Sequence, residues 1–181
     1  MAIYYPEGCT DEIFAPVCSD CPAIESAGLR SGFFIKQGFT FLDISNANEW
    51  ATGIESNDIY IFPKTRGNVA IAETVSQGFG DQEESFDSLT YTIQLFDPNY
   101  KGNYGFWNTI KRSNNFKFGY RTQSQVHLSD VTALIVPKNP VVEDKKQRVL
   151  WDVMIKFTQE NIVQPIDMPI GVFEKCIAVT P

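Results

Sequence analysis

Cys18 and Cys21 form a C-x-x-C inside "APVCSDCPA", with Cys9 upstream and Cys176 near the far end of the chain. Four thiols could make a tetrahedral zinc site, but a structural zinc module supplies two closely spaced pairs, and only one pair is present. A redox C-x-x-C sits where a strand of a βαβ unit runs into a helix, whereas this one lies in a proline-flanked leader. Free thiols are therefore the first reading, cysteines gathered where the two termini meet the second, and a bound metal the third. No cofactor and no metal enter the expected site.

His127 is the single histidine, so a histidine-based triad has at most one candidate base. Its context, "QVHLSD", alternates as a strand does, which favours a hydrogen-bonded structural histidine. No G-x-S-x-G, G-x-x-x-x-G-K-[ST] or H-E-x-x-H occurs. Carboxylates cluster in "DQEES" (81–85) and "VEDKK" (142–146), but both segments read as loops, and glycosidase chemistry needs two carboxyls held at a fixed separation. Trp50, Trp107 and Trp151 could wall a sugar site, yet Trp107 falls on a helix face and Trp151 on an apolar strand face, where core packing is expected. No enzyme is expected from these residues.

The elements that would position such residues are mostly strands. "SLTYTIQLF" alternates Leu89, Tyr91, Ile93 and Leu95 with Thr90, Thr92 and Gln94, which predicts an antiparallel strand over 86–96 with one buried face. "VLWDVMIKF" does the same, with Val149, Trp151, Val153, Ile155 and Phe157 on one side and Asp152 and Lys156 on the other. "SGFFIKQGFTFLD" reads as two short strands turning at Gln37-Gly38, "NDIYIFP" as a strand ended by Pro63, and 116–122 as another strand. "QVHLSDVTALIVPKNPV" reads as one strand or a pair broken around Ser129-Asp130, ended by Pro137 and Pro140.

Two short helices interrupt this pattern. Asn46 and Glu49 stand in the positions of a capping box, with Gly53 close behind to stop the turn. Asn103 is a candidate N-cap for a helix placing Phe106, Trp107 and Ile110 on one side. Residues 64–85 read as a long loop, a short apolar patch followed by a glycine-rich acidic run. The order contains no alternating βαβ units, so the expected class is mainly β: an antiparallel β-sandwich or barrel with one or two short flanking helices. The expected division is an extended N-terminal arm over 1–28, the β domain over 29–160 and an extended C-terminal tail over 161–181.

The chain has 181 residues, of which 43% are hydrophobic and 20% charged, enough for one domain burying roughly 70% of its unfolded surface. Its net charge of −7 and the lack of any block of Lys or Arg argue against wrapping nucleic acid through phosphate contacts. The same balance suits a wall past which DNA slides without sticking. No signal-peptide pattern and no run of about 18 apolar residues is present, so folding in the cytoplasm, away from membranes, is the expectation.

The residues from "DIYIFP" through "GFGDQEESFDSLTYTIQLFDPNYKGNYGFWNTIKRSNNFKFGYRTQSQVHLSD" to "VPKNPVVEDKKQRVLWDVMIKF" resemble small virion structural proteins of tailed bacteriophages, in particular the crAss-like phages of Bacteroidetes. The order of elements is similar to the tail-tube fold shared by tube, tail-terminator and head-to-tail joining ring proteins, over about residues 29–160. The resemblance implies a homo-oligomeric ring, six- or twelve-fold, that meets a neighbouring ring, portal or tail protein in the virion and lets DNA pass through its channel. The Cys-bearing leader and Pro-rich tail depart from a minimal tube subunit. A capsid-decorating or fibre-anchoring role is the alternative within that class, and a carbohydrate-binding β-sandwich the alternative outside it.

Within this reading the loop carrying Gly78, Gly80, Asp81, Glu83 and Glu84 is the segment expected to contact another subunit or line the channel.

Overall fold

The computed structural model describes residues 28–62, 65–76, 85–140 and 149–173. Strands β1 (Ser31–Lys36), β2 (Ile59–Phe62), β3 (Arg66–Ser76), β4 (Ser85–Asp97), β5 (Phe116–Arg121), β6 (Gln125–Thr132), β7 (Leu134–Lys138), β8 (Trp151–Gln159) and β9 (Pro165–Asp167) are joined by helices α1 (Ala47–Glu55) and α2 (Tyr104–Ile110). They form two antiparallel sheets, a five-stranded one in the order β2-β1-β5-β6-β9 and a four-stranded one in the order β3-β4-β8-β7. The protein is a mainly β sandwich with two short helices, the fold class its alternating segments predict.

The alternation in β4 and β8 is realised as written. Tyr91, Ile93 and Leu95 pair with Phe157, Ile155 and Val153, and all six are buried between the sheets. From the facing sheet, Phe34, Phe62, Phe118 and Tyr120 meet them, and Trp107 and Ile110 of α2 close one end of the core. Trp151 is 5% exposed and packs on the rings of Tyr100 and Tyr104 rather than on Phe106 or Trp107; its indole Nε1 donates to the Tyr100 carbonyl at 3.0 Å. Val149 precedes β8 and stands outside the buried stripe, 39% exposed.

The five-stranded sheet is covered on its second face as well. Phe33 and Ile35 of β1, Ile59 of β2 and Val126 of β6 point away from the sandwich core into a smaller one with Trp50, Val172 and Phe173. Such a strand reads as a continuous apolar run instead of an alternating one. For that reason "SGFFIKQGFTFLD" is not a hairpin: β1 pairs with β2 and β5, the chain turns at Gln37-Gly38, and Phe39 and Phe41 pack beside α1 without forming a strand. Phe41 lies 4.9 Å from the Trp50 ring.

α1 begins as its cap residues predict, though only in part. The Asn46 side chain accepts from the Asn48 N–H at 3.1 Å, while the Glu49 carboxylate turns outward to accept from the N–H groups of Leu42 and Asp43. Gly53 does not stop the helix; it is buried within it, and the stop comes at Ser56 and at Asn57, whose φ of 60° lies in the left-handed region. Asn residues enter that region more readily than other non-glycine residues because a short polar side chain bonds locally.

Three further expectations change. The break between β6 and β7 falls at Ala133, not at Ser129-Asp130, because the chain there leaves one sheet for the other; the Ala133 N–H donates to the Phe116 carbonyl at 2.8 Å. Pro137 sits inside β7, which is tolerable because β7 is an edge strand and Pro lacks only the one donor. Residues 161–173 run back across the five-stranded sheet, adding β9 beside β6 and burying Val163, Val172 and Phe173.

Candidate assembly surface

Residues 64–85 contain the largest departure from expectation. In place of a long loop, 66–76 form the eleven-residue strand β3, paired along its length with β4. Gly78, Gly80, Asp81, Glu83 and Glu84 lie outside the described residues. The strands that lead to them can be described, and they carry the geometry of interest.

β4 pairs with β8 only from Leu89 onward, so residues 85–88 have β3 as their partner and the two strands run past the sandwich as a ribbon. Directly opposed residues of an antiparallel pair share a face. Val69, Ile71 and Glu73 oppose Ile93, Tyr91 and Leu89, and so continue the core-facing side of the sheet. One residue, Asp87, is skipped in the register where Thr74 pairs with Ser88 and Val75 with Phe86. A one-residue slip changes which face a side chain occupies, so this bulge brings Phe86 to the face of Val75 and Tyr91. The result is an apolar stripe whose outer members have lost their cover: Ile71 is 56%, Val75 45% and Phe86 53% exposed.

β3 is also an edge. Apart from a single bridge between Leu29 and Gly67, no strand lies on its outer side among the described residues. It contains no proline, and its only charges are Arg66 and Glu73. Soluble proteins ordinarily blunt an edge of this length with lysine, proline or a covering element. The other edge of the same sheet, β7, carries both Pro137 and Lys138.

Asp97 is the only buried acidic group among the described residues. It is 3% exposed; Oδ1 accepts from the Asn99 N–H at 2.9 Å, and Oδ2 accepts from Asn103 Nδ2 at 2.7 Å and from Trp107 Nε1 at 2.8 Å. Asn103 thus serves the start of α2 through Asp97 and makes no side-chain bond to the helix itself. With its oxygens taken by three donors, Asp97 fastens α2 to the end of β4. The sequence marks "DPNYKG" as the break after the strand by its Asp-Pro and Asn chemistry, but not the bond from Asp97 to Trp107.

His127 lies on β6 with its ring stacked 4.7 Å from that of Tyr120 at an interplanar angle of 11°. Burial, helped by the nearby Tyr91 hydroxyl, pushes the Tyr120 phenol up to about 12. At the exposed surface, the Asp58 carboxyl is held below its ordinary value by Ser56 first and Lys36 second, and Asp43 by Ser45. A shallow open depression of about 440 Å³ is lined by Lys36, Gln37, Gly38 and Asn115, but the Lys36 ammonium is already 3.1 Å from Asp58. All three tryptophans are buried, and their Nε1 groups donate to the Ile44 carbonyl, Asp97 and the Tyr100 carbonyl, so none forms an exposed platform for a sugar.

Among the described residues no three His, Cys, Asp or Glu side chains come together as a metal would need, and no helix is long and apolar enough to cross a membrane. Cys9, Cys18, Cys21 and Cys176 lie outside the described residues. No family model, curated protein or solved structure matches the chain.

Proposed function

We propose that this protein is a non-enzymatic virion subunit of a tailed phage that assembles into a ring in the head-to-tail connector or tail, around a channel through which DNA passes without specific binding. The observation that carries the reading is the long unprotected edge of β3, on a sheet whose opposite edge, β7, also lacks a strand neighbour among the described residues. An open sheet with two edges is completed by pairing with copies of itself, and cyclic closure removes both edges at once. The sequence resemblance and the acidic net charge of −7 support the same role, since a channel wall without clustered cations would not retain phosphate.

Native mass spectrometry and negative-stain microscopy of the purified full chain test this. A single closed stoichiometry, six or twelve copies being the expected numbers, supports the ring. A chain that stays monomeric at all concentrations overturns it.

A further inference from the structure

We infer that two copies of this chain pair through β3 about a two-fold axis, and that this dimer is the unassembled form of the subunit, its sheet edge hidden until assembly. The inference rests on the proposed ring, because the dimer occupies the edge that the ring uses.

The free length of β3 sets the register. Leu29 bridges Gly67 and so takes the outer side of the strand at its start, which leaves residues 68–76, the last nine of its eleven, as open edge. Successive residues of a strand turn their hydrogen-bonding groups to opposite sides, so a strand that pairs antiparallel with its own copy sets one residue opposite itself. Full use of 68–76 places its midpoint, Ala72, on the axis. Glu73 on the axis would set two carboxylates face to face, which is destabilising. Ile71 on the axis would run Val75 into the place that the partner's Leu29 holds beside Gly67.

With Ala72 central, the uncovered end of one stripe meets the covered end of the other. Val75, 45% exposed, lies opposite the partner's Val69, which packs on the sandwich core. Phe86 pairs with Val75 and Ile93 with Val69 within each copy, so a single apolar row crosses four strands of the dimer. The other face of the edge carries Ala70, Ala72 and Thr74, small side chains that let the backbones approach. Glu73 falls opposite the partner's Ile71, and the two Glu73 side chains become diagonal neighbours about 7–8 Å apart. No Lys or Arg on 68–76 or on β4 compensates them, and Asp87 of β4 adds to the acidity. The joint is therefore held by backbone bonds and apolar contact against a mild charge repulsion. An isologous contact of this kind closes at two copies.

Disulfide trapping of the full chain reads the register. Ala72→Cys should link to its own copy, because directly opposed residues stand about 4.5–5.5 Å apart, inside the span of about 4.4–6.8 Å that a disulfide bridges. Ala70→Cys and Thr74→Cys should each fail to link alone and should link when mixed. Wild type, with its four cysteines, gives the background, and peptide mapping assigns each link. In sedimentation, Val75→Lys should weaken the dimer by about tenfold or more, while Glu73→Gln should tighten it by up to about fivefold and added salt should tighten the wild type. Thermal melts show that each variant is folded. The oxidised Ala72→Cys dimer should form no rings until it is reduced. Rings without a link at position 72, or links at 70 and 74 alone as strong as at 72, would overturn the dimer and leave the ring reading standing. Oxidised dimers that build rings at the wild-type rate would overturn the hold on assembly. A two-fold dimer in a protein that never forms a ring would support the pairing and remove the ring.

Discussion

The indole Nε1 of Trp107 donates to Oδ2 of Asp97 at 2.8 Å, a contact with both side chains buried, and through it the first turn after β4 is tied to the helix that closes the sandwich core. Asp97→Ala would leave three donors without an acceptor. The expected cost is roughly 3 kcal/mol, from unsatisfied buried donors at about 1–3 kcal/mol each with partial rescue by water. Asp97→Asn, which keeps the shape but turns one N–H against a donor, should cost less. Denaturant melts of the two variants check the order, and equal, wild-type-like melts would show that the clasp does not hold α2.

Trp151→Ala should cost roughly 3–5 kcal/mol by removing a large buried aromatic from between Tyr100 and the sheet. Lys156→Glu, on the exposed face of the same strand, should leave the melting temperature of the isolated subunit within the scatter of surface substitutions, about ±0.5 kcal/mol. The contrast is read in one thermal melt series. A Trp151→Ala protein that melts like wild type would contradict the register of β8.

Gly119 has no room for a methyl group. A Cβ there would run into the Phe33 ring and the His127 carbonyl, which stands 2.8 Å away. Both neighbours belong to strands paired with β5, so neither yields without disturbing the sheet. Gly119→Ala should destabilise the fold by about 1–3 kcal/mol, the usual penalty for overpacking, and Gly105→Ala, with open space around its Cβ, should not. Paired urea titrations of the two alanine variants make the comparison.

The raised Tyr120 phenol gives the protein an alkaline limit. A free tyrosine loses its proton near 10.0, while in the folded chain Tyr120 holds it to about 12. Between these values the unfolded chain ionises and the native one does not, so the native state binds more protons. Stability from this residue is therefore intact below pH 10 and falls as pH rises towards 12. Ultraviolet titration should show a tyrosine ionising late, together with unfolding, and Tyr120→Phe should flatten the alkaline loss. His127→Gln, which breaks the stack on Tyr120, should cost about 1 kcal/mol by the usual worth of an aromatic pair.

Taken alone, the order of residues determined those elements whose environment is one-sided. β4 and β8 have one face in the core, so Tyr91, Ile93, Leu95, Trp151, Val153 and Ile155 alternate visibly with polar neighbours, and the i, i+3 spacing of Trp107 and Ile110 marks α2 in the same way. These are local periodicities, and they sufficed for a mainly antiparallel sandwich with short helices. β1 was harder, because α1 and the returning C-terminal segment cover the face that sheet packing alone would leave wet, and Phe33 is as buried as Phe34. β3 was illegible as a strand: of its residues beyond Val69 all are exposed, so no burial pattern could be selected there, and its conformation is decided by eleven pairings to β4. The candidate surface follows from the same long-range decision. "VAIAETV" and Phe86 hold the apolar residues of the stripe, but only the skipped Asp87 puts Phe86 on their face, and only the end of the β8 pairing at Leu89 leaves them uncovered. Register and coverage are relations between segments distant in the chain, which is why tertiary structure alone decided them.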